Sequence, residues 1–161
     1  MIEIELKTEI DRSADECWKV FGLGYANIYQ WKSGMTSSDA EGGPFQDSPI
    51  SSRKIKASGL SFSEELIHFS HAGRAFTYEV VGLPFMVDSA RNEWKFSEAN
   101  GKATLHMHLR IQAASGFGWL LNALLRKAMT KEMGKLHQEF KHYLEEGKVH
   151  PRKAKELASS T

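Results

Sequence analysis

Residues 103–146 read ATLHMHLRIQAASGFGWLLNALLRKAMTKEMGKLHQEFKHYLEE, and the spacing of apolar residues changes partway through them. Over 103–112, Leu105, Met107, Leu109 and Ile111 alternate with His106, His108 and Arg110, the period of a half-buried strand. After Ala113-Ala114-Ser115-Gly116, apolar residues recur three and four apart: Phe117, Leu120, Leu121, Leu124, Leu125, Ala128, Met129, Met133, Leu136, Phe140, Tyr143 and Leu144. That spacing predicts one amphipathic helix near 117–146, roughly 45 Å long at about 1.5 Å per residue. Gly134 interrupts it at modest cost, and Gly147 ends it.

Upstream, the two-residue period dominates. Segments 52–58, 61–71, 74–81 and 86–98 read as strands, separated by Gly59, His71-Ala72-Gly73, Gly82-Leu83-Pro84 and Asn100-Gly101. Asn-Gly between alternating runs is a strong hairpin signal. The opening IEIELKTEI, residues 2–10, puts Ile2, Ile4, Leu6 and Ile10 on one face. Ser13-Ala14-Asp15-Glu16 is a capping box, so a short helix follows, with Cys17, Trp18 and Phe21 available to the core. A second short helical piece, 25–31, carries Tyr25, Ile28 and Trp31. Segment 33–43 is polar and partly strand-like, and 44–50 is a loop by its prolines. Residues 148–161, KVHPRKAKELASST, read as a polar, unpatterned and mobile tail. This order predicts an α+β chain with one domain over 1–147. A curved antiparallel sheet of about six to seven strands wraps around a long C-terminal helix, with two short helices after the first strand. One helix does not fill a strongly curved sheet, so a cavity between them is expected.

Composition narrows the function. Of 161 residues, Lys and Arg number 21 and Asp and Glu 20, giving net charge +1, and 41% are hydrophobic. This is globular composition, and the charge balance argues against nucleic-acid binding. The lone Cys17 excludes an internal disulfide and reads as a buried structural thiol. No apolar run reaches membrane-spanning length, and the N-terminus lacks a signal peptide's basic flank, so a cytoplasmic protein is expected. No P-loop, dinucleotide fingerprint, nucleophile elbow or H-E-x-x-H is present, so no cofactor is expected.

The run Ile10-Asp11-Arg12-Ser13-Ala14-Asp15-Glu16-Cys17-Trp18, then Trp31, Gly42-Gly43, Arg53, Glu64-Glu65-Leu66-Ile67 and Arg74–Val80 followed by Gly82-Leu83-Pro84, come in a telling order. Together they resemble the SRPBCC superfamily over about residues 2–146. That superfamily includes START lipid-transfer domains, polyketide cyclases/dehydrases and plant abscisic acid receptors. Ser13 stands where the family commonly has Pro, Cys17 where it has Val, and Glu65 where it has Arg. The resemblance implies the helix-grip fold. It also implies that Glu64 and Tyr78 face a ligand, and that the turns 58–61 and 82–85 are similar to the receptor branch's gating loops. Plain hairpin turns explain those two segments equally well.

Strand parity supplies the candidate residues. The inner face takes Phe62, Glu64 and His68 from one strand, Phe76 and Tyr78 from the next, and Asp88, Ala90, Asn92 and Trp94 from the third. The helix adds Leu121, Leu125 and Met129. The expected ligand-binding set is therefore Phe62, Glu64, Tyr78, Ala90, Asn92, Trp94, Leu121, Leu125 and Met129. Were the pocket catalytic, Glu64, His68, Tyr78 and Asp88 would be its acid/base candidates. The alternative for Glu64 and Asp88 is plain exposure at strand ends. Lys32 stands near the expected mouth, either pairing with a ligand carboxylate or simply solvated. His106 and His108 share the outward face without a third ligand, so no metal site is expected. Three functions compete: a carrier of a hydrophobic small molecule, a cyclase or dehydratase, and a protein-interaction module.

Overall fold

The computed structural model describes residues 1–116 and 118–161. Its elements are β1 (Ile2–Ile10), α1 (Ala14–Phe21), a 3-10 helix (Tyr25–Gln30), β2 (Met35–Glu41), β3 (Ser52–Ala57), β4 (Leu60–Ser70), β5 (Ala75–Val81), β6 (Val87–Ala99), β7 (Lys102–Ala113), α2 (Trp119–Glu146) and α3 (Pro151–Ser159). Phe117, expected at the start of the long helix, lies outside the described residues.

All strands are antiparallel to their neighbours in one seven-stranded sheet, ordered β1-β7-β6-β5-β4-β3-β2. Local chemistry sets the turns. Asn100 and Gly101 both take positive φ, 54° and 74°, as the two-residue β6–β7 hairpin requires. Ser58 and Gly59, at 51° and 80°, do the same between β3 and β4. α1 begins at the capping box: Glu16 N–H donates to Ser13 Oγ, and Ser13 N–H donates to Glu16 Oε2. Gly147 ends α2 in the left-handed region.

The inner face follows the alternation. Leu6, Met107, Trp94 and Phe76 form one row across four strands, and Ile4, Leu109, Asn92 and Tyr78 the next. Against this face α1 and α2 close an aromatic cluster. The Phe21 ring lies 4.8 Å from Trp94 and 4.9 Å from Phe140. His106, His108 and Arg110 point away from it, as parity predicts.

Three expectations fail, each for a local reason. The register slips between Leu66 and His68, so Ile67 is an extra residue and the faces exchange beyond it. Phe69, not His68, is then buried, and His68 is exposed. A second slip between Val87 and Ser89 turns Asp88 out to solvent. Residues 151–159 are helical rather than an unpatterned tail. Pro151 opens α3 and His150 Nδ1 caps it by accepting from Arg152 N–H.

α2 buries its stripe unevenly. Leu136, His137, Glu139 and Phe140 are buried, whereas Trp119, Leu120 and Leu124 are exposed. The second half of α2 is pinned to the sheet: Thr8 Oγ1 and His137 Nδ1 are 2.8 Å apart, and Lys141 donates to the Glu9 carbonyl. Beside the middle of α2 the core is not filled. No helix among the described residues is long and apolar enough to cross a membrane.

Candidate functional site

The unfilled space is a cavity of about 240 Å³ between the concave sheet and α2. The sheet contributes Ala57, Leu60, Phe62, Phe76, Tyr78 and Trp94, and the helices contribute Phe21, Ile28, Met129, Met133 and Leu136. Leu60, Phe62 and Met129 keep some exposure, which places the opening between the β3–β4 turn and the middle of α2.

One corner is polar. Glu64, on β4, is 5% exposed, and Arg53, directly opposite on β3, is 3% exposed. Glu64 Oε2 accepts from Arg53 Nε at 2.9 Å and from Tyr25 Oη at 2.7 Å, and lies 2.8 Å from Arg53 Nη2. Arg53 Nη1 donates to the Tyr25 carbonyl, and its guanidinium carbon sits 3.9 Å from the Tyr25 ring centroid. Burial disfavours the Arg53 charge, but Glu64 outweighs it and keeps the guanidinium protonated. Burial, then the Glu64 charge, pushes both the Tyr25 and Tyr78 hydroxyls up, so both stay protonated. Asn92 Nδ2 donates to Tyr78 Oη at 3.3 Å, while Asn92 Oδ1 has no partner among the described residues.

A second polar group flanks the opening. Lys32 is buried rather than solvated; its Nζ donates to the Ser33 carbonyl and lies 3.6 Å from Glu139 and 3.9 Å from Glu132. Burial lowers the Lys32 ammonium, opposed by Glu139 and Glu132. Glu139 is wholly buried and accepts from Ser33 N–H, Ser33 Oγ and Arg152 Nε. Burial alone would raise its carboxyl; the Ser33 and Arg152 hydrogen bonds override that and hold it low.

Among the residues expected from sequence, Phe62, Glu64, Tyr78, Trp94 and Met129 line this one space. Asn92 stands behind Tyr78, buried but not lining. Ala90 is buried one row further along, opposite Ile111, away from the cavity. Leu121 is half-buried outside the lining, and Leu125 packs on the core beside it. His68 and Asp88 are corrected to the exterior, which removes two of the four acid/base candidates. Parity did not find Arg53 or Tyr25. The signal was available: the two-residue turn Ser58-Gly59 fixes the β3–β4 register and sets Arg53 against Glu64. Among the described residues no group of three or more His, Cys, Asp or Glu gathers as a metal site.

Residues 1–145 match the family described as polyketide cyclase/dehydrase and lipid transport. The chain belongs to this family. Solved structures agree on the fold. XoxI from Bacillus cereus superposes with a TM-score of 0.68 at 18% identity, covering 87% of this chain and 96% of that one. A START superfamily protein from Mycobacterium smegmatis gives 0.66 at 10% identity, with 83% and 92% covered. The Zhui aromatase/cyclase from Streptomyces sp. R1128 gives 0.66 at 12% identity, with 92% and 99% covered. At such identities the likeness is one of fold. A search of curated proteins finds no match to the sequence. The architecture is the helix-grip arrangement that the sequence resemblance implied.

Proposed function

We propose that this family member binds an apolar small molecule, lipid-, polyketide- or isoprenoid-like, in the cavity between sheet and α2. The observation that carries the reading is a mainly apolar, partly open cavity whose polar groups gather in two places, the Glu64–Arg53–Tyr25–Tyr78 corner and Lys32 with Glu132 at the opening. Such a lining supplies affinity through burial, and few polar groups fix orientation. Tyr78 is the group suited to that second task. Its oxygen accepts from Asn92, which leaves its own proton to donate toward a ligand carbonyl or hydroxyl oxygen. The volume lies below the roughly 300–1,000 Å³ usual for drug-sized ligands. A compact ring system or short chain therefore fits better than a two-chain lipid.

The cyclase or dehydratase reading has less support. Its acid/base candidates reduce to Glu64 and Tyr78. Glu64 Oε2 already accepts from Tyr25 and Arg53, and burial holds the Tyr78 proton in place. The deciding experiment is native mass spectrometry of the purified protein, followed by titration with a fatty acid, an aromatic polyketide and a prenyl alcohol. A one-to-one adduct lost in Met133→Trp supports the carrier reading. No adduct with any of the three, and none co-purified, overturns it.

A further inference from the structure

We propose that α3 is a detachable strap that holds one wall of the cavity shut. Its three anchors all converge on that wall or on the helix beside it. Arg152 Nε donates to the buried Glu139 carboxylate. Lys153, only 2% exposed, donates from Nζ to the Met35 carbonyl at 3.1 Å and to Glu156 at 3.3 Å. Glu156 Oε2 in turn accepts from Gly34 N–H at 2.8 Å. Ser33, Gly34 and Met35 are cavity-lining residues, and Ser33 is itself tied to Glu139. The strap, the wall and α2 thus share one network.

Two features make the strap releasable rather than merely structural. No apolar residue of α3 belongs to the hydrophobic core, its one large apolar side chain, Leu157, is 48% exposed, and its one buried side chain, Lys153, is held by polar contacts. A nine-residue helix is also too short to persist alone in water, so α3 exists as a helix only while docked. An element held by a few polar contacts opens at far lower free energy than the core. The wall can move when it opens. Gly34 takes φ 77°, the left-handed region, between the 3-10 helix and β2, and supplies a pivot. α3 also lies outside the residues that the family match covers. The proposal rests on the cavity being a binding site, since access matters only there.

The test needs no ligand. Leu136→Cys places a thiol on the cavity wall of the full chain, and its alkylation by iodoacetamide is followed by mass. The native Cys17, fully buried, reports global unfolding in the same sample. Arg152→Ala/Glu156→Ala cuts two anchors. Ala154→Pro leaves every charged partner but removes the Ala154 N–H that closes the first turn on His150. Both should speed alkylation of the introduced thiol at least tenfold, with Cys17 unreacted, while Lys155→Ala on the exposed face stays within twofold of the parent. Rates in both strap variants within twofold of the parent overturn the proposal. So does acceleration matched at Cys17, which is loss of fold. Acceleration in both strap variants without any small-molecule adduct in native mass spectrometry sinks the carrier reading alone.

Discussion

Arg53 and Glu64 form a buried pair in which each is costly without the other. A buried ion pair adds little stability over an apolar pair of the same volume, but removing one partner leaves an uncompensated charge. Arg53→Ala should therefore cost about 3–5 kcal/mol by urea unfolding. Arg53→Met/Glu64→Leu should recover most of that loss, and a single variant within about 1 kcal/mol of the parent would refute the pairing. His137 carries a separate, pH-dependent liability. Burial lowers its imidazole from the ordinary 6.5 to about 4. Between those values the unfolded chain takes up a proton that the folded chain refuses. Stability thus falls as pH drops through that window, by roughly 3 kcal/mol in full. His137→Gln should flatten that part of the slope. His106 and His150 titrate equally in both proteins, so the difference in urea midpoints between about pH 7 and about pH 4.5 isolates His137. Parallel slopes would show that the imidazole is not the source.

Element by element, the sequence was most legible where one period ran unbroken. β7 and α2 follow from alternation in 103–112 and three-to-four spacing after it. The sheet's outward histidines follow from the same parity. Legibility stops at the β4 and β6 bulges, because a single extra residue exchanges faces and leaves no compositional mark. His68 and Asp88 were misplaced for this reason alone. The bulge makes a direct prediction. Phe69→Ala should cost about 3–5 kcal/mol, as for other buried aromatic truncations, and His68→Ala should stay within about 0.5 kcal/mol. The reverse order would restore uninterrupted alternation. α3 escaped notice for a different reason. Its cap is His150 rather than Ser, Thr, Asp or Asn, and its buried face is a lysine held by a carbonyl and a carboxylate. Hydrophobic patterning is blind to a helix that docks through charge.

At the scale of the whole molecule, the cavity is a consequence of mismatch. The second half of α2 is pinned by His137, Lys141 and the Phe21–Phe140 aromatic contact, while seven curved strands continue past it. Two alanines on the inner face separate an open cavity from a merely loose core. Ala57 lines the space, and Ala90 is buried outside it, opposite Ile111 on β7. Adding the same indole at each asks the same packing question in two places. Overpacking a filled core costs about 1–3 kcal/mol or more, because neighbours must leave their rotamers. At Ala57 the ring enters volume that is already empty and gains contacts there. Ala90→Trp should thus lower the urea midpoint by the larger amount. Ala57→Trp should leave stability within about 1 kcal/mol of the parent and abolish the one-to-one adduct in native mass spectrometry. Adduct formation that survives Ala57→Trp would put the bound molecule somewhere other than between the sheet and α2.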